Sequence, residues 1–300
     1  MNKVIAIVGP TGSGKSSLGI NIAQQLNSEI ISGDSIAIYQ QLNIGSAKPS
    51  KEEQQLVKHH LVDILSIDHS YSVADFQNKG RKIIDQLHQQ NKIPIVVGGT
   101  GLYIKALLYD YQFEKREFVE DDFDVWDNNT IWNYINDKDQ QAANKIHVNN
   151  RQRLITTARL LNNIVEGNKT TLLEQQKHEP IYECLIIGLT MDKDYLYQRI
   201  NQRVDQMMEM GLLNEVEELY KIENVFDLPG LKGIGYKEFK DYYDNNQGLE
   251  KTVEEIKKHT RQFAKRQYTW FNNQMTVNWL DINDPTYDDK LNQLLENFIG

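Results

Sequence analysis

The stretch KVIAIVGPTGSGKS, residues 3–16, constrains this chain more than any other. A short apolar run leads into Gly9, Pro10, Thr11, Gly12, Ser13, Gly14, Lys15 and Ser16. A helical pattern follows, with Leu18, Ile22 and Leu26 at i, i+4 and i+8. Gly9, Gly14, Lys15 and Ser16 meet the pattern G-x-x-x-x-G-K-[ST]. Between a buried strand and a helix, such a loop turns successive backbone N–H groups onto an anion, and the helix N-terminus adds its dipole. Lys15 then reaches the terminal phosphates, and the Ser16 hydroxyl takes Mg²⁺. The strand before and the helix after disfavour the alternative, a glycine-rich turn with no ligand.

Further apolar runs, EIISG (29–33), HLVDIL (60–65), PIVVGG (94–99), YECLIIGLT (182–190) and TVNWLDI (276–282), alternate with helical patterns. One helix starts at Ser72, with Asp75 completing a capping box and Phe76, Ile83, Ile84 and Leu87 facing inward. Others cover about 193–210, 212–222, 234–244 and 249–272, and a helix ends the chain. This alternation predicts an α/β fold, a P-loop parallel sheet core with helices on both faces. Near residue 112 the character changes. Residues 112–141 carry nine acidic side chains against three basic ones, with little that resembles a strand. A small, mostly helical insertion domain over 112–182 is expected, with the catalytic core formed by 1–111 and 183–300.

Three hundred residues are ample for a packed core. The formal net charge of −9 is unfavourable for a nucleic-acid binder unless a basic surface is concentrated somewhere. A single cysteine, Cys184, excludes an internal disulfide and a Cys-based zinc site. No run approaches the ~20 apolar residues of a membrane span. A cytoplasmic protein with no membrane partner is expected.

What phosphate the loop holds is left open by its neighbours. A P-loop NTPase places an acid at a strand end for Mg²⁺, yet PIVVGGT ends in Gly98, Gly99 and Thr100. Asp34 is the only acid directly after an early strand. It suits a general base or a metal ligand, the alternative being a turn aspartate. Thr100 shares that sheet edge, but it could equally cap the helix starting near Leu102. Arg199 and Arg203, at i, i+4, suit an anion or simply a solvated face. His59 and His60 diverge in direction and find no third ligand, so they read as structural. The segment KKHTRQFAKRQYTWF (257–271) is the one basic stretch. Lys258, Arg261, Lys265 and Arg266 gather on one helix face, Lys257 sits at its edge, and Tyr268 and Phe271 are available to meet bases.

GPTGSGKS, GDSIAIYQQLNIGSAKP (33–49), HHLVDI (59–64), YSVADF (71–76), PIVVGGTGLYIKALL (94–108), IHVNNRQRL (146–154), RINQRVDQMMEMGLLNEV (199–216), GIGYKEF (233–239) and TRQFAKRQYTWF (260–271) occur in this order. The set resembles the bacterial tRNA dimethylallyltransferases over about residues 3–280. That resemblance implies transfer of a dimethylallyl group from dimethylallyl diphosphate to N6 of the adenine beside the tRNA anticodon, in tRNAs reading codons that begin with U. It implies that the P-loop grips the diphosphate of the donor, helped by Lys15 and Mg²⁺ on Ser16. Asp34 would be the base, Thr100 would bond the bridging oxygen, and Arg203, helped by Arg199, would bind diphosphate. Ser35, Ile36 and Ala37 would line the base pocket, and Gly101 would contact tRNA. Asn149, Asn150, Arg151, Gln152 and Arg153 would contact tRNA, as would Lys232, Gly233, Ile234, Gly235, Tyr236 and Lys237. The family's usual aspartate reads Asn150 here, and a usual proline reads Val148. A flipped adenine in a channel is expected, in a monomeric enzyme. The competing enzyme class is a P-loop small-molecule kinase using ATP, with the acidic insertion as its lid.

Overall fold

The computed structural model describes residues 2–111, 113, 121–162 and 179–300. The expected insertion over 112–182 therefore lies partly outside the described residues. The chain divides into two compact units, Met1–Tyr111 with Glu179–Gly300, and Gln112–His178. In the second unit the helices Asn128–Lys138, Gln140–Asn144 and Arg151–Asn162 pack Ile131, Ile135, Leu154 and Ala158 into a small core with Phe123.

The first unit is a six-stranded sheet in the order β3-β2-β4-β1-β5-β6, parallel throughout. Its strands are β1 Lys3–Val8, β2 Ile30–Ser32, β3 His59–His60, β4 Ile95–Val97, β5 Glu183–Thr190 and β6 Asn278–Asp281. Every residue of β1 from Val4 to Val8 is fully buried. A central parallel strand is covered on both faces, so it reads as an unbroken apolar run. Alternate side chains serve opposite faces. Ile5 and Ile7 join Leu18 and Ile22 in one cluster, while Val4, Ala6 and Val8 join Ile104, Leu107 and Phe271 in the other. The helix Val73–Gln89 opens with the expected capping box of Ser72 and Asp75. Among the described residues no helix is long and apolar enough to cross a membrane.

Two elements differ from expectation. HLVDIL gives only the two-residue edge strand His59–His60, because Leu61 and Asp63 take left-handed φ values of 62° and 56° and turn the chain. The helix expected over 234–244 shrinks to Phe239–Tyr243, since Gly235 at φ 97° interrupts it and a buried carboxylate, Glu238, draws back the Gly235 N–H at 2.9 Å.

Three loops that matter leave the same edge of the sheet. β1 runs into Gly9, β2 into Asp34 and β4 into Gly98–Thr100, and in space β4 lies between the other two. The carboxyl ends of parallel strands are where open α/β sheets bind ligands.

Candidate active site

The phosphate loop is held open by its glycines. Gly14 is left-handed at φ 94° and stands just before the helix Lys15–Gln25, whose first turn carries neither a side-chain cap nor an acid. The free N–H groups and the dipole at that helix end attract an anion. Lys15 Nζ donates to Pro10 O at 2.7 Å, curling back over the loop. Burial of its ammonium group, with Arg203 close by, lowers Lys15 to about 7, against partial opposition from Asp34. The residue stays partly accessible through the cavity it lines.

Arg199 and Arg203 project from the helix Lys193–Glu209 toward this loop. Arg199 Nε donates to Gly12 O at 3.0 Å, and Arg203 Nη2 donates to Ala47 O at 3.3 Å. Burial draws the Arg203 guanidinium below its usual range, Arg199 pushes the same way, and Asp34 and Glu53 oppose. These are not arginines on a solvated face. Three cations, Lys15, Arg199 and Arg203, gather where a diphosphate would carry its charge.

Asp34 lines the same cavity. Its Oδ1 accepts the N–H groups of Ile36 at 2.8 Å and Ala37 at 3.2 Å, so the turn and the site use one carboxylate. Thr100 occupies the N-cap position of the helix Gly101–Leu108 but makes no side-chain cap. Its hydroxyl accepts the Ser35 N–H instead, at 3.2 Å. The capping role that its position allowed is therefore not the one it has.

Lys15, Asp34, Thr100 and Arg203 surround a cavity of about 420 Å³, walled also by Ile36, Ala37, the 232–235 turn and the helix Leu249–Gln274, while Arg199 lines a neighbouring one. Lys15, Ser16, Arg203 and Met207 continue into a second, more polar cavity of about 590 Å³. Ser16, on the first helical turn, borders both. Among the described residues no cluster of three acids or histidines could hold a metal by itself. The residues do fit a Mg²⁺ held by the Ser16 hydroxyl together with oxygens of a bound diphosphate.

Other expected residues fall in different places. Lys232, Gly233, Ile234, Gly235 and Lys237 line the first cavity, but Tyr236 does not. Its ring is fully buried, and its hydroxyl donates to Glu215 at 2.7 Å and accepts the Ser46 N–H at 3.1 Å. It braces the 43–47 loop rather than meeting tRNA with its ring. Gly101 lies against Trp270, where a Cβ would come within 2.2 Å of the indole. On the basic helix, Arg266 lines the cavity and Lys265 is exposed. Lys258 is paired with Glu255, Lys257 with Asp205 and Glu254, and Arg261 with Asn201. Phe271, expected to be free to meet bases, is fully buried in the core, while Tyr268 is exposed beside Trp279. In the second unit, Arg151 is committed to Trp126 O, Asn128 and Asp124 O. Asn149, Asn150, Gln152 and Arg153 are exposed. His60 is paired with Glu29 at 2.7 Å, and His59 borders the cavity.

Three residues were missed. Glu215 accepts the N–H groups of Asn43, Ile44 and Gly45 and so clamps the loop bearing Ala47. Phe263 lines the cavity. Gln267, 6% exposed, joins the phosphate loop to the turn before Thr100. Its signal was present: a polar side chain within the helical stripe Ile256, Phe263 and Phe271.

The sequence model of the IPP transferase family matches residues 37–274. The tRNA dimethylallyltransferase of Bacillus cereus is 42% identical over 305 residues, covering 99% of this chain and 95% of that protein. The tRNA isopentenylpyrophosphate transferase structure from Bacillus halodurans superposes with a TM-score of 0.75 at 38% identity, covering 100% of this chain and 96% of that one. A eukaryotic dimethylallyltransferase acting on tRNA gives a TM-score of 0.83 at 28% identity, over 99% of this chain and 80% of that one. A phosphate loop, a carboxylate and a hydroxyl on neighbouring strand ends, together with full-length likeness to these enzymes, place this chain in the IPP transferase family.

Proposed function

We propose that this chain transfers a dimethylallyl group from dimethylallyl diphosphate to N6 of the adenine beside the anticodon of tRNAs reading codons that begin with U. The observation that carries this reading is the placement of Lys15, Thr100 and Asp34 around one cavity, on segments that follow three neighbouring strands. The exocyclic amine of adenine is a poor nucleophile, because its lone pair is delocalised into the ring. The allylic C1–O bond breaks and pyrophosphate departs onto the loop amides, Lys15 and Arg203. The N6–C1 bond forms, and the N6 proton passes to Asp34. Mg²⁺ at Ser16 would supply further charge neutralisation to the leaving group. No enzyme nucleophile is needed, since an allylic carbon tolerates cationic character.

The adenine must leave its stack to reach Asp34. Lys232, Gly233, Ile234, Gly235, Lys237 and Arg266 border the cavity, and we assign them to the acceptor. We further propose a monomeric enzyme that works in the cytoplasm, where tRNA is found. A kinase is not favoured: the family match is to IPP transferases, and the strand that would carry a nucleotidase acid ends in Gly98 and Gly99. The test is label transfer from dimethylallyl diphosphate to unmodified tRNA, with and without Mg²⁺. Tight ATP binding with no binding of dimethylallyl diphosphate in calorimetry would sink the proposal.

A further inference from the structure

Gln267 makes two hydrogen bonds, both to backbone. The Thr11 N–H donates to its Oε1 at 2.8 Å, and its Nε2 donates to Gly99 O at 3.0 Å. One partner is a donor and the other an acceptor, and the side-chain amide serves both through its oxygen and its nitrogen. The fit is close: a Cβ on Gly99 would lie 2.1 Å from Nε2. Beyond Gly99 the connection continues. The Thr100 N–H donates to Gly33 O at 3.2 Å, and the Thr100 hydroxyl accepts the Ser35 N–H at 3.2 Å, on either side of Asp34. Among the described residues, the hydrogen bonds between the 9–14 loop and the 98–100 turn run through Gln267. The helix that carries it also presents Thr260, Phe263 and Arg266 to the cavity.

We propose that Gln267 is a positioning residue, which holds the leaving-group cradle in register with Thr100 and Asp34 and carries occupancy of the cradle to the Thr100 turn. The inference rests on the transfer reaction proposed above. Reacting atoms must be held at near-contact distance and in line, and a misplacement of about 1 Å costs roughly 10²-fold in rate. The cradle's own affinity comes from loop amides, Lys15 and Arg203, which Gln267 does not supply.

The test compares wild type with Gln267→Met and Gln267→Glu. The first removes both hydrogen bonds at similar volume, and the second, when ionised, keeps an acceptor for Thr11 but offers no donor to Gly99. With dimethylallyl diphosphate and tRNA, kcat should fall by roughly 10²-fold in Gln267→Met while the donor KM stays within about threefold. Hydrogen exchange supplies a second readout: pyrophosphate should protect the 98–100 turn in wild type but not in the variant. A kcat within about threefold of wild type overturns the proposal, and so does a raised donor KM with kcat spared. If Gln267→Met fails to fold, Gln267→Glu is judged by the same criteria. A wild type that transfers nothing from dimethylallyl diphosphate overturns the donor assignment instead. Positioning then stands or falls on the exchange experiment.

Discussion

The Thr100 hydroxyl accepts the backbone N–H of Ser35 at 3.2 Å, tying the end of β4 to the turn that carries Asp34. Its own hydrogen reaches Ser35 Oγ in a long bond of 3.4 Å and, in the proposed reaction, would turn to the leaving group. Thr100→Val removes both functions. The lost hydrogen bond should cost about 1 kcal/mol, measured by urea unfolding. Loss of a donor to developing negative charge should lower kcat by roughly 10²-fold. Thr100→Ser keeps the hydroxyl and should stay within about tenfold of wild type. Equal losses in the two variants would mean that the methyl group, not the hydroxyl, matters.

Asp34 serves the turn through Oδ1 and, in the proposed reaction, would take the proton through its charge, and the two roles can be separated. In an Asp34→Asn variant the amide oxygen still accepts from Ile36 and Ala37, but the side chain is no base. Turnover should fall by ~10²–10⁴-fold, with pyrophosphate affinity retained in calorimetry. Asp34→Ala should show the same catalytic loss plus a stability loss of about 1–2 kcal/mol. Unimpaired turnover in either variant removes Asp34 from the mechanism.

Burial and Arg203 set Lys15 near 7 in the free enzyme. A bound diphosphate favours its charged form and raises that value. Below about pH 7 the lysine is already protonated, and binding takes up no proton through it. Above about pH 7 it must gain one, so affinity should fall by up to about tenfold per pH unit. Calorimetry in buffers of different ionisation enthalpy at about pH 8 should show proton uptake that is reduced in Lys15→Met. Identical uptake in the two proteins would place the proton elsewhere.

Glu215 gathers three backbone N–H groups and the Tyr236 hydroxyl. Glu215→Ala strands them all and should destabilise the protein by about 3 kcal/mol, while Tyr236→Phe should cost about 1 kcal/mol. Because Ala47 O, on the clamped loop, holds Arg203, pyrophosphate should also bind more weakly to Glu215→Ala at temperatures where it is folded.

Lys265 is exposed on the basic helix, whereas Lys257 is neutralised by Asp205 and Glu254. Lys265→Ala should therefore reduce the log–log salt slope of tRNA binding by about 0.7–0.9, and Lys257→Ala should leave it nearly unchanged. Filter binding across salt concentrations distinguishes them. Equal slopes for wild type and Lys265→Ala would move the RNA surface off this face.

Local signals named much of this protein in advance. KVIAIV is a strand because a central parallel strand is buried on both sides, and GPTGSGKS is a loop because its glycines permit φ values that other residues resist. Ser72 and Asp75 announce a helix start through bonds made within four residues. Asp34 and Thr100 were placed at one edge simply because both follow apolar runs. Such features depend on neighbours in the chain, so the chain displays them.

Other facts depended on which distant segments meet. That β4 lies between β1 and β2, putting Thr100 between the cradle and Asp34, follows from strand order, and nothing within PIVVGGT encodes its neighbours. Tyr236 is expected from the resemblance to contact tRNA and Phe271 to be available to bases, but packing buries both rings. Lys257 and Lys258 read as free cations until folding set carboxylates against them. Gln267 reads as one more polar helix residue, yet it reaches Thr11, 256 positions away in sequence. The amino-acid order determined the elements and the chemistry each could offer. The tertiary structure decided which groups share a cavity and which are spent on holding it together, because hydrogen bonds and charges act over ångströms in space rather than along the chain.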